Sequence, residues 1–153
     1  MLAAGASSRY GGVKQWELLP AVLAALAESA IDEIVVVEGA HALRSPARVV
    51  HCDEWDRGPG ASLRCGLAAL GQNVTRAVVI LADGPELDPR AVDRLAEHPA
   101  AFAAATYDGT RSHPVALDRS LWDTVPDEGL RALEPVLVDC SDLRPPGDVD
   151  VRP

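Results

Sequence analysis

The sequence predicts a three-layer α/β architecture on a mixed, mostly parallel sheet. Short apolar runs alternate with stretches of helical periodicity along the 153 residues, as expected when helices cover both faces of a parallel sheet. Hydrophobic residues make up 48% of the chain, enough at this length to fill one core. Asp108-Gly109 between two apolar runs signals a tight hairpin, so at least one antiparallel pair interrupts the parallel order. A single domain over residues 1–153 is expected, without internal repeat, linker or low-complexity tract.

Met1–Ala3 reads as the first strand. Its span of about 10 Å is short for a strand and suits one clipped at its start. Leu18–Ala30 is Ala/Leu-rich and helical, and Ile34–Val37 and Arg48–His51 are apolar strand runs. Ala61–Gly71 repeats Leu63, Leu67 and Leu70 on one helical face. Ala77–Ala82 is a fully apolar strand, and Pro89–Glu97 a helix opened by Asp88 as N-cap with Pro89 in its first turn. Ala101–Tyr107 and His113–Leu117 flank the Asp-Gly hairpin, and Val136–Val138 is the last strand. Arg144–Gly147 is a Pro/Gly surface loop.

The formal net charge of -9 would repel polyanions at long range. With only 4% aromatic residues there is no base-stacking surface either, so nucleic acid is excluded as a partner. Cys52, Cys65 and Cys140 are odd in number, widely spaced and without a C-x-x-C pair. They read as small buried thiols in a reduced cytoplasm, not as a disulfide framework or zinc site. No apolar run spans a membrane and no targeting or lipidation motif occurs, so no membrane partner is expected.

Chemistry concentrates in two loops. Leu2-Ala3-Ala4-Gly5-Ala6-Ser7-Ser8-Arg9, continuing to Lys14, is a small-residue turn with two spaced cations. Small side chains let backbone N–H groups approach phosphate oxygens, and Arg9 and Lys14 supply countercharge. The same composition also makes ordinary turns, and the run is neither a Walker loop nor a Gly-x-Gly-x-x-Gly fingerprint. A triphosphate carries roughly four negative charges, so in so acidic a chain these cations would need help from a divalent ion, Mg²⁺ or Mn²⁺. Asp83 then ends the apolar run Ala77–Ala82 ahead of Gly84-Pro85. A carboxylate at the carboxyl end of a sheet strand is placed to hold such an ion beside substrate phosphates, though Asp also commonly starts turns.

The first loop resembles the LAAGxSxRxGxxK pattern of the MobA-like nucleotidyltransferases, especially the molybdenum cofactor cytidylyltransferase branch. Leu81-Ala82-Asp83-Gly84-Pro85 is similar to the family's LADQP, with Gly84 a departure at the acceptor side. Gly58 to Leu67 resembles its G-x-x-SL-R-x-GL segment, Ser112-His113-Pro114-Val115 its G-H-P-V strand, Asp127-Glu128-Gly129 its D-E-G-A-R turn, and Asp148-Val149-Asp150 its D-I-D element. The matches run in order along nearly the whole chain and imply a Rossmann-like nucleotidyltransferase fold.

The resemblance further implies transfer of an NMP, CMP from CTP, to a phosphorylated acceptor of the molybdopterin class with release of pyrophosphate, and a molybdenum hydroxylase as eventual recipient. Ala4, where guanylyl-transferring relatives tend to carry Gly, favours CTP. By the same resemblance Arg9 and Lys14 are catalytic, and Leu2, Ala3, Ala4, Gly5, Ser7, Ser8, Gly60 and Ser62 hold the nucleotide. Asp83 and Asp150 hold the metal, and His113 and Pro114 contact the acceptor.

Each supporting segment has a plainer reading: Arg64 as a salt-bridge residue, His113 as structural, Asp127-Glu128-Gly129 as an acidic helix start, and Asp148-Val149-Asp150 as a solvated tail. Gln15-Trp16-Glu17-Leu18-Leu19-Pro20 looks like a compressed form of the family's L-L-P-x-x-G-x-P loop, and the family's final helix is absent. These departures, with the short first strand, motivate one alternative, a nucleotide binder without catalysis; a second, a nicotinamide-dependent oxidoreductase on the same fold, is implied by relatives described that way, and the lack of a dinucleotide fingerprint weighs against it.

Overall fold

The computed structural model describes residues 1–7, 10 and 12–149. Its elements are α1 (Lys14–Ala27), β1 (Val35–Glu38), β2 (Arg48–His51), α2 (Pro59–Ala69), β3 (Arg76–Val79), α3 (Pro89–Glu97), β4 (Phe102–Tyr107), β5 (Thr110–Asp118) and β6 (Val136–Asp139), with single-turn 3-10 helices between. β1 and β2 pair in parallel, and β3-β5-β4-β6 form a ladder. The N-terminal segment joins the two: Leu2 bridges Val37 on one side and Leu81 on the other, both in parallel. Its backbone is laddered throughout, Ala3 N–H to Val37 O at 2.9 Å, Leu2 N–H to Ile80 O at 2.8 Å and Ala82 N–H to Leu2 O at 3.0 Å. The resulting order is β2-β1-N-terminal segment-β3-β5-β4-β6. Among the described residues only β5 runs antiparallel, against both β3 and β4.

The expected hairpin is the two-residue turn between β4 and β5. Asp108 and Gly109 take φ of 50° and 77°, and Tyr107 pairs with Thr110, the backbone a tight hairpin demands. β5 is longer than the apolar run His113–Leu117 because the hairpin's hydrogen bonds extend the ladder over polar residues from Thr110 to Ser112.

Alternation along each strand divides the core into the two expected layers. Leu63 and Leu67 of α2 pack with Val79, Val115 and Leu117 on one face. On the other, Ala91 and Leu95 of α3 meet Ala103, Ala105 and Ala116, and Val22 and Leu26 of α1 pack with Ile80 and Val92. Alanines on the inner strands let α3 settle close to the sheet. α3 matches its expected bounds, and Asp88 accepts from Arg90 N–H as its N-cap.

Two expectations are corrected. Gln15–Pro20 is not a compressed loop but the first half of α1. Leu19 and Val22 face the core while Pro20 lies exposed, on the solvent side where helix curvature tolerates a missing N–H. Cys52 and Cys65 are not reduced thiols but a disulfide, with Cα atoms 5.8 Å apart, inside the usual bridging range. The bridge ties the end of β2 to α2, a proximity set by tertiary packing that sequence spacing does not reveal; Cys140 is free and buried as expected. No helix among the described residues is long and apolar enough to cross a membrane.

Candidate active site

The chain leaves the N-terminal segment through α1 to β1 on one side, and returns from β2 through α2 to β3 on the other, with α1 and α2 on opposite faces. This is a topological switch point, and the crevice at the carboxyl ends of such strands is where ligands bind in open α/β sheets. A cavity of about 430 Å³ lies there, lined by the first loop, Lys14, Trp55, Pro59, Ser62 and Asp83.

Ala3 and Ala4 are buried in the sheet at 4% and 6% exposure, which fixes the start of the loop. Gln15, only 4% exposed, holds the rest. Its amide donates to Gly5 O at 2.8 Å and its Oε1 accepts from Ser7 Oγ at 2.6 Å. Ser7 turns the chain at φ 52° and accepts Tyr10 N–H through its carbonyl. Tyr10 is buried and donates to Glu17 of α1 at 2.9 Å. Gly5, Ser7 and Tyr10 are therefore held from within the protein, so their positions need no ligand to set them. Ser8 and Arg9 lie outside the described residues.

Lys14 Nζ donates to Asp83 Oδ2 at 2.9 Å and to Val149 O at 3.3 Å. Residues 69 positions apart thus meet at the cavity floor. The carboxy-terminal segment runs alongside, with Val149 N–H on Asp83 O at 3.2 Å and Glu86 N–H on Pro146 O at 3.0 Å. It also accounts for Gly84: a Cβ there would lie 2.9 Å from Pro146 Cβ, so any side chain at this position would displace the segment. Asp150 lies outside the described residues.

No cluster of three or more metal-ligating side chains occurs among the described residues. The donors present nevertheless suit a hard cation, because a carboxylate and a backbone carbonyl already converge on the ammonium of Lys14. Mg²⁺ commonly takes one or two carboxylates and completes its shell with water and substrate phosphates.

The α2 wall divides its expected residues. Ser62 lines the cavity, 4% exposed, and its hydroxyl has no protein partner among the described residues. Gly60 lines neither this cavity nor its neighbour. It is there because a Cβ would stand 1.7 Å from Pro126 O, and its N–H donates to Asp127 O at 3.0 Å. Arg64 is a salt-bridge residue, bound to Asp127 and to Val125 O. With Arg57 also on it, the Asp127 carboxyl is held below its ordinary pKa, first by Arg64 and then by Arg57. Asp127 therefore fastens the α2 wall and is not free to meet an acceptor.

A second cavity of about 680 Å³ opens on the other side of Asp83, and Leu2, Pro59 and Leu81 border both. Ser112, His113 and Glu128 line it. His113 approaches Val79 O at 3.4 Å through Nδ1, and burial pushes its pKa below the ordinary histidine value despite that contact. Pro114, expected beside His113 in the acceptor site, is instead fully buried. Strand alternation turns it into the core while its neighbour faces the cavity. Sequence reasoning missed Gln15, beside Lys14, and Trp55, whose signal was a tryptophan just ahead of the Gly58 turn in a chain poor in aromatics.

Residues 1–134 match the family model described as the MobA-like NTP transferase domain. Comparison with curated proteins returned no match. Among solved structures, Rv0371c from Mycobacterium tuberculosis H37Rv is 27% identical with a TM-score of 0.77, covering 98% of this chain and 90% of that one. It has also been solved in complex with manganese. A nucleotidyl transferase from Methanothermobacter thermautotroptrophicus shares the fold at 20% identity and TM-score 0.77, over 98% of this chain and 89% of its own. The molybdopterin-guanine dinucleotide biosynthesis protein A of Archaeoglobus fulgidus does so at 16% identity and TM-score 0.63, over 94% and 83%. With its family model covering the first loop, the α2 wall, Asp83 and His113, the chain belongs to the MobA-like NTP transferase domain family and is a nucleotidyltransferase.

Proposed function

We propose that the two cavities meeting at Asp83 take a nucleoside triphosphate, CTP, and a phosphorylated acceptor of the molybdopterin class. An acceptor phosphate oxygen attacks the α-phosphorus, the bond from that phosphorus to the bridging oxygen of the β-phosphate breaks, and pyrophosphate leaves with that electron pair. The observation carrying this reading is Lys14 against Asp83 at 2.9 Å, between the preformed loop and the second cavity. Lys14 and Arg9 meet charge on the phosphates, and the backbone from Ala4 to Ser8 cradles them. Asp83 and Asp150 are the residues to hold Mg²⁺ or Mn²⁺, which when bound supplies charge neutralisation and Lewis-acid polarisation of the phosphoryl group. His113 faces the acceptor cavity as a neutral imidazole, able to donate or accept one hydrogen bond there.

The choice of CTP rests on Ala4, and the acceptor on the sequence resemblance, in keeping with the name of the Archaeoglobus relative. A molybdenum hydroxylase would then receive the product. Calorimetric titration with CTP and GTP, each with and without Mg²⁺, tests the donor half. Metal-dependent binding that favours CTP is expected. Equal or tighter binding of GTP would overturn the base assignment, and nucleotide binding without pyrophosphate release on any phosphorylated pterin acceptor would overturn the acceptor.

A further inference from the structure

We propose that Trp55 is a nucleotide-contact residue, its ring packed on the nucleoside and its indole N–H donating to a nucleoside oxygen; this rests on the nucleotide reading above. The chain has three tryptophans. Trp16 donates to Ala42 O at 3.1 Å and Trp122 to Leu117 O at 3.2 Å. Trp55, which alone of the three lines the cleft, has no partner for its N–H among the described residues. Trp55 is partly exposed on the cleft wall, so its indole N–H, satisfied by no described protein acceptor there, is available to a ligand oxygen. The Ser62 hydroxyl on the same wall is in the same condition.

The fold holds the ring in place by three devices. Gly39 exists to admit it: a Cβ there would lie 2.5 Å from Trp55 Cβ and Cγ and 2.9 Å from Ala4 Cβ. Trp55 N–H of the backbone donates to Cys52 O at 3.2 Å, and Cys52 is fully buried and bridged to Cys65. Gly58 N–H then closes onto Trp55 O at 3.4 Å.

Sheet order fixes which part of the nucleotide it meets. Trp55 packs at the end of β1, Asp83 follows β3, and the N-terminal segment with its loop lies between them. Two strand spacings, roughly 10 Å, therefore separate the aromatic wall from the Lys14–Asp83 pair. With phosphates at the charged end, the nucleoside is left to the apolar wall of Trp55 and Pro59.

The test is titration of Mg²⁺·CTP into the full chain and into Trp55→Leu and Trp55→Phe, with melting curves to establish folding. Loss of an aromatic stacking partner should weaken binding roughly 5- to 150-fold in Trp55→Leu. Loss of the donor alone should weaken it by about 2- to 10-fold in Trp55→Phe. Should Trp55→Leu not fold, Trp55→Phe decides, together with a nucleotide-induced change in tryptophan emission that the wild type shows and Trp55→Phe lacks. Wild-type binding left unchanged by Trp55→Phe with no such emission change, or by a folded Trp55→Leu, overturns the Trp55 assignment and leaves the nucleotide reading standing. A wild type that binds none of the four nucleoside triphosphates overturns both.

Discussion

Reduction of the Cys52–Cys65 disulfide should cost a large share of the stability of the α2 wall of the cleft. The bridged residues are 13 apart in sequence. Closing a loop of that length removes about 10 cal/mol/K of entropy from the unfolded chain, or about 3 kcal/mol at 25 °C on the chain-entropy model. In a protein of this size each kcal/mol moves the melting temperature by roughly 2–4 °C, so reduction should lower it by about 6–12 °C. The loss falls on function because Trp55, Gly58, Pro59 and Ser62 all lie inside the bridged loop and all line the cleft. Cys52 is fully buried and Cys65 only partly so, so reduction should begin from the Cys65 side.

Melting curves with and without dithiothreitol measure the shift, and Cys52→Ala/Cys65→Ala should reproduce it without reductant. Alkylation in denaturant before any reduction, read by intact mass, should add one label, at Cys140. Three labels would show that the bridge does not form. One label with a melting temperature indifferent to reductant would refute the loop-entropy reasoning.

Two further outcomes follow from contacts at the site. Lys14→Ala should lower kcat/KM for pyrophosphate release by about 10²–10³, the usual effect of removing one preorganised donor, with the circular-dichroism spectrum unchanged; a loss under tenfold would remove Lys14 from its role. Gly60→Ala places its methyl 1.7 Å from Pro126 O, a backbone clash no rotamer relieves. It should cost about 4 kcal/mol or more in urea unfolding, and a cost under about 1 kcal/mol would show that the α2 wall and the Pro126–Asp127 turn can separate freely.

Much of the fold was legible because local signals and tertiary structure agree. The Asp108-Gly109 hairpin and the Asp88-Pro89 start of α3 are written in residues whose backbone preferences leave few options. The Ala77–Ala82 run could be read as a strand because it lies between helices on both faces and is apolar without interruption; its ladder is β3 over Arg76–Val79, with Leu81 joined only by an isolated bridge to Leu2. The start of α1 was misread because Pro20 argues against a helix interior and Gln15–Pro20 resembles a family loop, although Gln15 and Glu17 are themselves good helix formers. What overrides the proline is tertiary: Gln15 is drawn in by the carbonyl of Gly5 and the hydroxyl of Ser7. Gly60 carries a demand that sequence could not show: glycine marks close approach, and here the carbonyl of Pro126 approaches it.

The Lys14–Asp83 contact bears on why a nucleotide should need its metal here. The Lys14 ammonium lies 2.9 Å from the Asp83 carboxylate, with the pair only 15% and 25% exposed, so drawing Lys14 away from Asp83 carries an electrostatic cost. On the proposed reading, a triphosphate arriving by itself draws Lys14 toward its oxygens and leaves the Asp83 carboxylate facing like charge, in a chain already at -9. A divalent cation on Asp83 removes that penalty and releases Lys14 at the same moment. Nucleotide and metal are then coupled through one lysine, and linkage requires the coupling to be mutual: Mg²⁺ should tighten CTP by the same factor by which CTP tightens Mg²⁺. In Asp83→Asn the carboxylate that resists the bare triphosphate is gone. That variant should bind CTP without metal at least as well as the wild type does, while losing the gain that Mg²⁺ confers.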